Sequence, residues 1–246
     1  MSTTLGIDLA SQAQKTGVCV IEWSGSGARV RTLHRGGPEA GDEPLRAAIR
    51  SGHTKVAIDA PFGWPEPFVA AIRGDEWPDV EARALAYRET DRFVHKRAGK
   101  LALSVSTDKI AYCAFRCARL LSGLDAPRDG SGLAVEAYPD AALRCWLPTS
   151  FAQRPAPSYK GEPGSERREE LVDVLLAGLG DRFDIGTGRD DCVKSDDCLD
   201  ALLCALIARA AERGKTIPPG DEHAASARAE GWIHLPEPGS LAQLID

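Results

Sequence analysis

Five carboxylates stand where strands would end or where a helix would begin, which is where acids gather when they act together. Asp8 lies near the end of Thr4-Leu5-Gly6-Ile7-Asp8-Leu9, and Asp59 closes Lys55-Val56-Ala57-Ile58-Asp59. Glu136 lies near the end of Leu133-Ala134-Val135-Glu136-Ala137-Tyr138, and Asp197 and Asp200 open the apolar run that continues to Ile207. In an open α/β sheet, ligands collect beyond the carboxyl ends of parallel strands. Acids that converge there within about 4 to 6 Å raise one another's pKa unless protons or cations compensate them. Hard oxygen donors without paired His or Cys suit Mg2+ or Mn2+ rather than zinc. Two such ions about 3.5 to 4 Å apart serve the attacking water and the leaving oxygen of a phosphate. The expectation is a phosphodiester-hydrolysing site with Asp8, Asp59, Asp200 and Glu136 as catalytic acids. Asp8 would bridge two ions, Asp59 and Asp200 would each complete one, and Asp197 would help through water.

Each acid also has an ordinary role. Asp8 and Asp59 serve equally as acceptors in strand-end turns. Asp196 and Asp197 occupy a first helical turn, where the helix dipole favours any acid by roughly 0.3 to 1 kcal/mol. Glu136 reads either as a member of the site or as an acid orienting the backbone or an arginine such as Arg88. Asp200 is past the first turn, on a stripe with Ala201, Cys204 and Ala208 at spacings of three and four. Small residues let that helix approach the sheet, and an inward carboxylate there requires a metal or a base.

The elements that must position these acids follow from periodicity. Thr4 to Leu9 alternates as a strand, and Gly17 to Trp23 and Ala28 to Leu33 complete an antiparallel meander around Ser24-Gly25-Ser26-Gly27. A helix over Glu43 to Arg50 leads to the strand ending at Asp59, and Pro61 and Pro65 prevent that strand from continuing. Helices are predicted over Val80 to Phe93, Lys109 to Leu121 and Glu166 to Leu179, with a strand over Leu133 to Tyr138. Residues 148–164 and 181–194 read as loops, and Ser195 caps a helix running through Ala211. Three antiparallel strands followed by parallel strands joined through helices give a mixed sheet flanked by helices, the ribonuclease H-like α/β topology.

Length bounds the organisation to one domain over residues 1–246, with insertions at about 61–78 and 148–164. Met1 to Thr4 runs straight into a strand, so no signal peptide is expected, and no apolar run reaches the roughly 20 residues of a membrane span. Seven cysteines, several within helical patterns, read as reduced, buried thiols and a cytoplasmic setting. A net charge of −6 excludes a protein that coats nucleic acid through global charge. Local contact is left to Arg88, Arg92, Lys96, Arg97 and Lys100 with His95, a run that reads equally as a solvated helix face or as a phosphate-contacting surface.

Several segments together resemble the family called domain of unknown function 429. They are Gly6-Ile7-Asp8-Leu9-Ala10, Ala57-Ile58-Asp59-Ala60-Pro61-Phe62-Gly63, Arg88-Glu89-Thr90-Asp91, Glu136-Ala137-Tyr138-Pro139, Tyr159-Lys160, Asp197-Cys198-Leu199-Asp200-Ala201-Leu202 and Glu230-Gly231-Trp232-Ile233. The resemblance implies a nuclease of ribonuclease H fold. The opening Asp-x-x-Asp-Ala-Leu of the late helix is similar to that of Holliday-junction resolvases, which maps Asp8, Asp59, Asp197 and Asp200 onto metal ligands. Asp59 departs from that pattern, because the resolvases carry the longer Glu there. The family pattern also points to Arg88, Asp91, Tyr159 and Lys160. The corresponding expectation is a phosphate clamp formed by Arg88, Arg92, Tyr159 and Lys160 on a nucleic-acid substrate.

The leading expectation is therefore a nuclease dependent on Mg2+ or Mn2+, with two ions and DNA or RNA as substrate, and without membrane attachment. One rival is an ATPase or phosphotransferase of the actin-like superfamily. Its members use two copies of the fold, and no glycine-rich phosphate loop follows Asp8 or Asp59 here. The other is a non-catalytic scaffold whose acids are paired with bases. Oligomeric state stays open.

Overall fold

The hydrophobic alternation at the start of the chain becomes strands β1 (Ser2–Asp8), β2 (Gly17–Ser24) and β3 (Gly27–Arg35). The computed structural model describes residues 1–74, 79–147 and 158–245. Helix α1 (Asp42–Arg50) precedes β4 (Lys55–Asp59), followed by α2 (Glu66–Arg73), α3 (Ala82–Ala86), α4 (Glu89–Ala98) and α5 (Ala111–Leu121). Strand β5 (Ala134–Glu136) enters α6 (Pro139–Trp146) directly, with Tyr138 as its N-cap. The later elements are α7 (Ser165–Leu179), β6 (Phe183–Asp184), α8 (Gly188–Lys194), α9 (Asp196–Glu212) and α10 (Ala224–Glu230).

The six strands form one sheet in the order β5-β4-β1-β2-β3-β6. β1, β2 and β3 pair antiparallel, whereas β1 with β4, β4 with β5, and β3 with β6 pair parallel. This is the expected mixed α/β sheet with an antiparallel opening. Leu5, Ile7, Val56, Ile58 and Ala134 bury one face against Leu45 and Ile49 of α1 and Cys117 and Leu120 of α5. On the other face, Cys19, Ile21, Ala57 and Val135 share a core with α9 and with residues of α6 and α7. Side chains alternate between faces along a strand, so the register decides which acid meets which helix.

Helix α9 is buried along nearly its whole length, and Ser195 caps it by accepting from the Cys198 N–H. Gly6 permits its approach. A Cβ on Gly6 would lie 2.2 Å from Ala205 N and 2.3 Å from Ala201 O, inside the backbone of α9. Thr4 Oγ1 donates to Ala205 O at 3.0 Å and accepts from Trp23 Nε1 at 2.9 Å, tying helix to sheet.

Three sequence expectations change. The helix expected over Val80 to Phe93 is broken at Tyr87 and Arg88, because Arg88 adopts extended φ −69°, ψ 164° to cap α4, which then runs on to Ala98. The stretch 181–194 is not a loop. Phe183 and Asp184 pair with Ala28 and Arg29, and α8 follows, too short and too charged to show a periodic pattern. The insertion at 61–78 contains α2, and of the loop expected over 148–164 residues 148–157 lie outside the described residues. All seven cysteines are free thiols and six are buried, as expected. Among the described residues no helix is long and apolar enough to cross a membrane.

Candidate functional site

Parallel pairing places Asp8 directly beside Asp59, as it places Gly6 beside Ala57. Gly6 and Ala57 face α9, so by alternation the two aspartates at the strand ends face it too. Asp200, fully buried one helical turn into α9, meets them there. One carboxylate oxygen from each of Asp8, Asp59 and Asp200 lies within 4.8 Å of the other two. Asp8 and Asp59 line a cleft of about 570 Å³ together with Tyr159 and Lys160, and with Ser11, Lys109, Ile110 and Tyr138 among its other walls.

The electrostatics follow from that crowding. Burial, then Asp200 and Asp59, push the Asp8 carboxyl well above the usual carboxylate range. Burial and the Asp200 charge push Asp59 up to about 7. Asp200 is raised by burial, with Lys160 and Tyr159 opposing. Its two oxygens have separate donors: Tyr159 Oη donates to Oδ1 at 2.9 Å, and Lys160 Nζ pairs with Oδ2. Burial alone would lower the Lys160 ammonium, but Asp200, Asp8 and Asp59 together raise it. Among the described residues, the side chains of Asp8 and Asp59 have no hydrogen-bond or ion-pair partner.

The remaining expected site residues have other duties. Glu136 pairs in register with Ile58, which faces α1 and α5, so its side chain leaves the strand on the opposite face from Asp59. It accepts from Arg88 Nη2 at 2.7 Å, from Arg88 Nη1 at 2.8 Å and from the Phe62 N–H at 2.9 Å, so both its oxygens are engaged by protein donors. Arg88 is correspondingly no phosphate clamp: it is 2% exposed and also binds Asp91 at 2.8 and 3.2 Å. Arg92 is held by Glu89 and by the Tyr87 carbonyl, on a surface beside Lys96, Arg97 and His223 rather than in the cleft. Lys100 pairs with Asp140 at 2.8 Å. Asp197 is engaged by Arg35 and does not join the triad. Lys160 and Tyr159 do reach the site, but they act on Asp200.

The family model described as protein of unknown function, DUF429, matches residues 6–224. This chain belongs to that family. No curated protein matches the chain, and no solved structure does. The matched span of DUF429 contains all three carboxylates of the triad together with Tyr159 and Lys160.

Three further residues secure the site and its surroundings: Arg116 and Arg168 carry no signal in the sequence beyond their charge, and Glu230 stands out only within the Glu230-Gly231-Trp232-Ile233 segment of the family resemblance. Arg116 of α5 donates to Ala10 O at 2.8 Å, Thr16 Oγ1 at 2.7 Å and Ala40 O at 2.6 Å, fixing the chain that follows Asp8. Arg168 of α7, 2% exposed, donates to Tyr159 O and Gly161 O, both at 2.6 Å, and so fixes the backbone around Lys160. Glu230 accepts from the N–H groups of Glu66 and Glu89 at 2.8 and 2.7 Å, joining the starts of α2 and α4. Glu230 is followed by Gly231 at φ +99°, where a Cβ would lie 2.9 Å from Glu136 Oε2. The motif Glu230-Gly231 is thus a packing joint for the buried Arg88 network.

Proposed function

We propose that this protein is a ribonuclease H-like nuclease that hydrolyses nucleic-acid phosphodiester bonds with Mg2+ or Mn2+ held by Asp8, Asp59 and Asp200. The observation that carries this reading is the convergence of three carboxylates, two of them without a protein partner among the described residues. A set of buried acids this close is stabilised by a cation, and an all-oxygen donor set fits a hard divalent ion. The strand order and the mixed pairing are compatible with a ribonuclease H-like sheet.

Asp8, Asp59 and Asp200 would hold a divalent ion whose contribution would be to acidify water and offset charge on the phosphate. The chain's own residues supply placement. Asp8 and Asp59 present carboxylates from adjacent strands at the floor of the cleft, and α9 fixes Asp200 opposite them through its close approach at Gly6. Tyr159 and Lys160 hold the Asp200 carboxylate in one orientation.

The cleft rim favours nucleic acid over a small phosphodiester. Ser11 lines both the cleft and an adjoining groove that carries Tyr112, Phe115 and Arg119. Tyr112 and Phe115 are 75% and 57% exposed, and Phe115 stacks on Trp64 at 5.6 Å between ring centroids. Exposed aromatic faces beside a catalytic cleft accept stacked, unpaired bases at about 1 to 3 kcal/mol each. Single-stranded DNA or RNA is therefore the first substrate to test. With Mn2+ the wild type should cleave it, chelator should stop it, and Asp8→Asn should abolish it. Equal cleavage by matched wild-type and Asp8→Asn preparations would assign the activity to a contaminant and remove this reading.

A further inference from the structure

The carboxylate centre already contains a cation of its own. Lys160 Nζ is paired with Asp200 Oδ2, and the charges of Asp8 and Asp59 reach it as well. Its position is built into the fold. Arg168, buried in α7, holds the carbonyls on either side of Lys160, those of Tyr159 and Gly161. The same guanidinium binds Val193 O at 2.8 Å, just before α9 begins, so one buried side chain ties the Lys160 segment to the helix that carries Asp200. Tyr159, 7% exposed, takes the other oxygen of Asp200, and the Lys160 ammonium lies 5.1 Å from the Tyr159 ring centroid.

Charge balance then limits what else the centre takes. Three carboxylates and one ammonium leave two negative charges, which a single divalent ion neutralises. A second ion would leave surplus positive charge before any phosphate arrives, and it would have to compete with Lys160 and Tyr159 for Asp200. Asp8 and Asp59, which lack protein partners among the described residues, are the two ligands left open.

We infer that Lys160 is a resident cation of the centre, occupying the position of a second metal, so that one divalent ion binds at Asp8 and Asp59 beside the Lys160–Asp200 pair. This rests on the metal-site reading above and replaces its expected two ions with one ion and a lysine. Lys160 is then a positioning residue that fixes Asp200 and sets the number of ions bound.

The test is Mn2+ titration of the chelator-stripped full chain by calorimetry, with melting curves in chelator and in Mn2+, for wild type, Lys160→Met, Lys160→Gln, Lys160→Arg and Asp8→Asn. Wild type should bind one Mn2+ per chain. Lys160→Met and Lys160→Gln should bind a second ion, or the first about tenfold or more tightly, because a like charge has left the site. Both should melt below wild type in chelator and recover in Mn2+, since the ion replaces the missing ammonium, and Lys160→Arg should resemble wild type in stoichiometry. Two ions in wild type, or unchanged or weaker Mn2+ binding in both neutral variants, would overturn the resident-cation role while leaving the metal site standing. Absence of Mn2+ binding by wild type, matching Asp8→Asn, would overturn the metal-site reading itself.

Discussion

At the scale of the residue, the three triad acids differ in what they lose when metal is absent. Asp59 has a carboxyl raised from an ordinary 3.8 to about 7 by burial and by Asp200. An acid whose folded pKa exceeds its unfolded value favours folding below the unfolded pKa, and that contribution is lost as pH rises through the folded pKa. In chelator, stability should therefore fall between about pH 4 and pH 7 from this group, and Asp59→Asn should flatten that fall and be the more stable protein at pH 8. Urea unfolding at pH 5 and pH 8 measures both, and an Asp59→Asn variant less stable than wild type at pH 8 would contradict the repulsion. Asp200 is raised by burial as well, but unlike Asp59 it has protein donors on both oxygens. Its oxygens accept from Lys160 and Tyr159, so Asp200→Asn takes the carboxylate from the half-exposed Lys160 ammonium and disturbs the buried Tyr159 contact, and should destabilise the metal-free protein.

At the scale of the element, the buried network of Arg88, Asp91 and Glu136 joins α4, β5 and the loop after β4. Breaking such a pair by removing one partner costs about 3 to 5 kcal/mol, because the other charge stays buried. Arg88→Met should lower the urea midpoint accordingly. Mn2+ binding by the folded fraction should be retained, since Glu136 lies on the opposite face of its strand from the triad. A loss of metal affinity without a loss of stability would return Arg88 and Glu136 to the site. This contrast marks what the sequence could carry. Asp8 and Asp59 were visible as strand-end acids, and Asp200 as a carboxylate on a small-residue stripe. Their convergence needed only that the strands be parallel and α9 be close. Glu136 looked the same by its position near a strand end, and only the β4–β5 register, which a single sequence does not encode locally, sends it to the other face. Arg116 and Arg168 are illegible for a related reason: most of their partners are backbone carbonyls, which no residue type announces. Helix α8 and strand β6 were missed because seven and two residues are too few to show a period.

At the scale of the whole molecule, a net charge of −6 works against any polyanionic substrate, so nucleic-acid affinity must come from cations placed at the cleft. Most of those nearby are already engaged: Arg88 by Glu136 and Asp91, Lys100 by Asp140, and Lys160 by Asp200. Lys109 is exposed, lines the cleft, and has no ion-pair partner among the described residues. Lys96 and Arg97 are exposed too, but they sit on the α4 surface beside Phe93 and His223, which shares no lining residue with the cleft. Each phosphate contact on a single strand contributes about 0.7 to the slope of log affinity against log salt. Lys109→Met should therefore weaken binding of a single-stranded oligonucleotide in chelator and lower the slope by at most about 0.7. Replacing Lys96 and Arg97 together by Gln should change neither affinity nor slope. Fluorescence anisotropy across a salt series reads both quantities without turnover. If the α4 double variant loses slope while Lys109→Met does not, the strand runs over α4, and the cleft at Asp8, Asp59 and Asp200 is not where the nucleic acid docks.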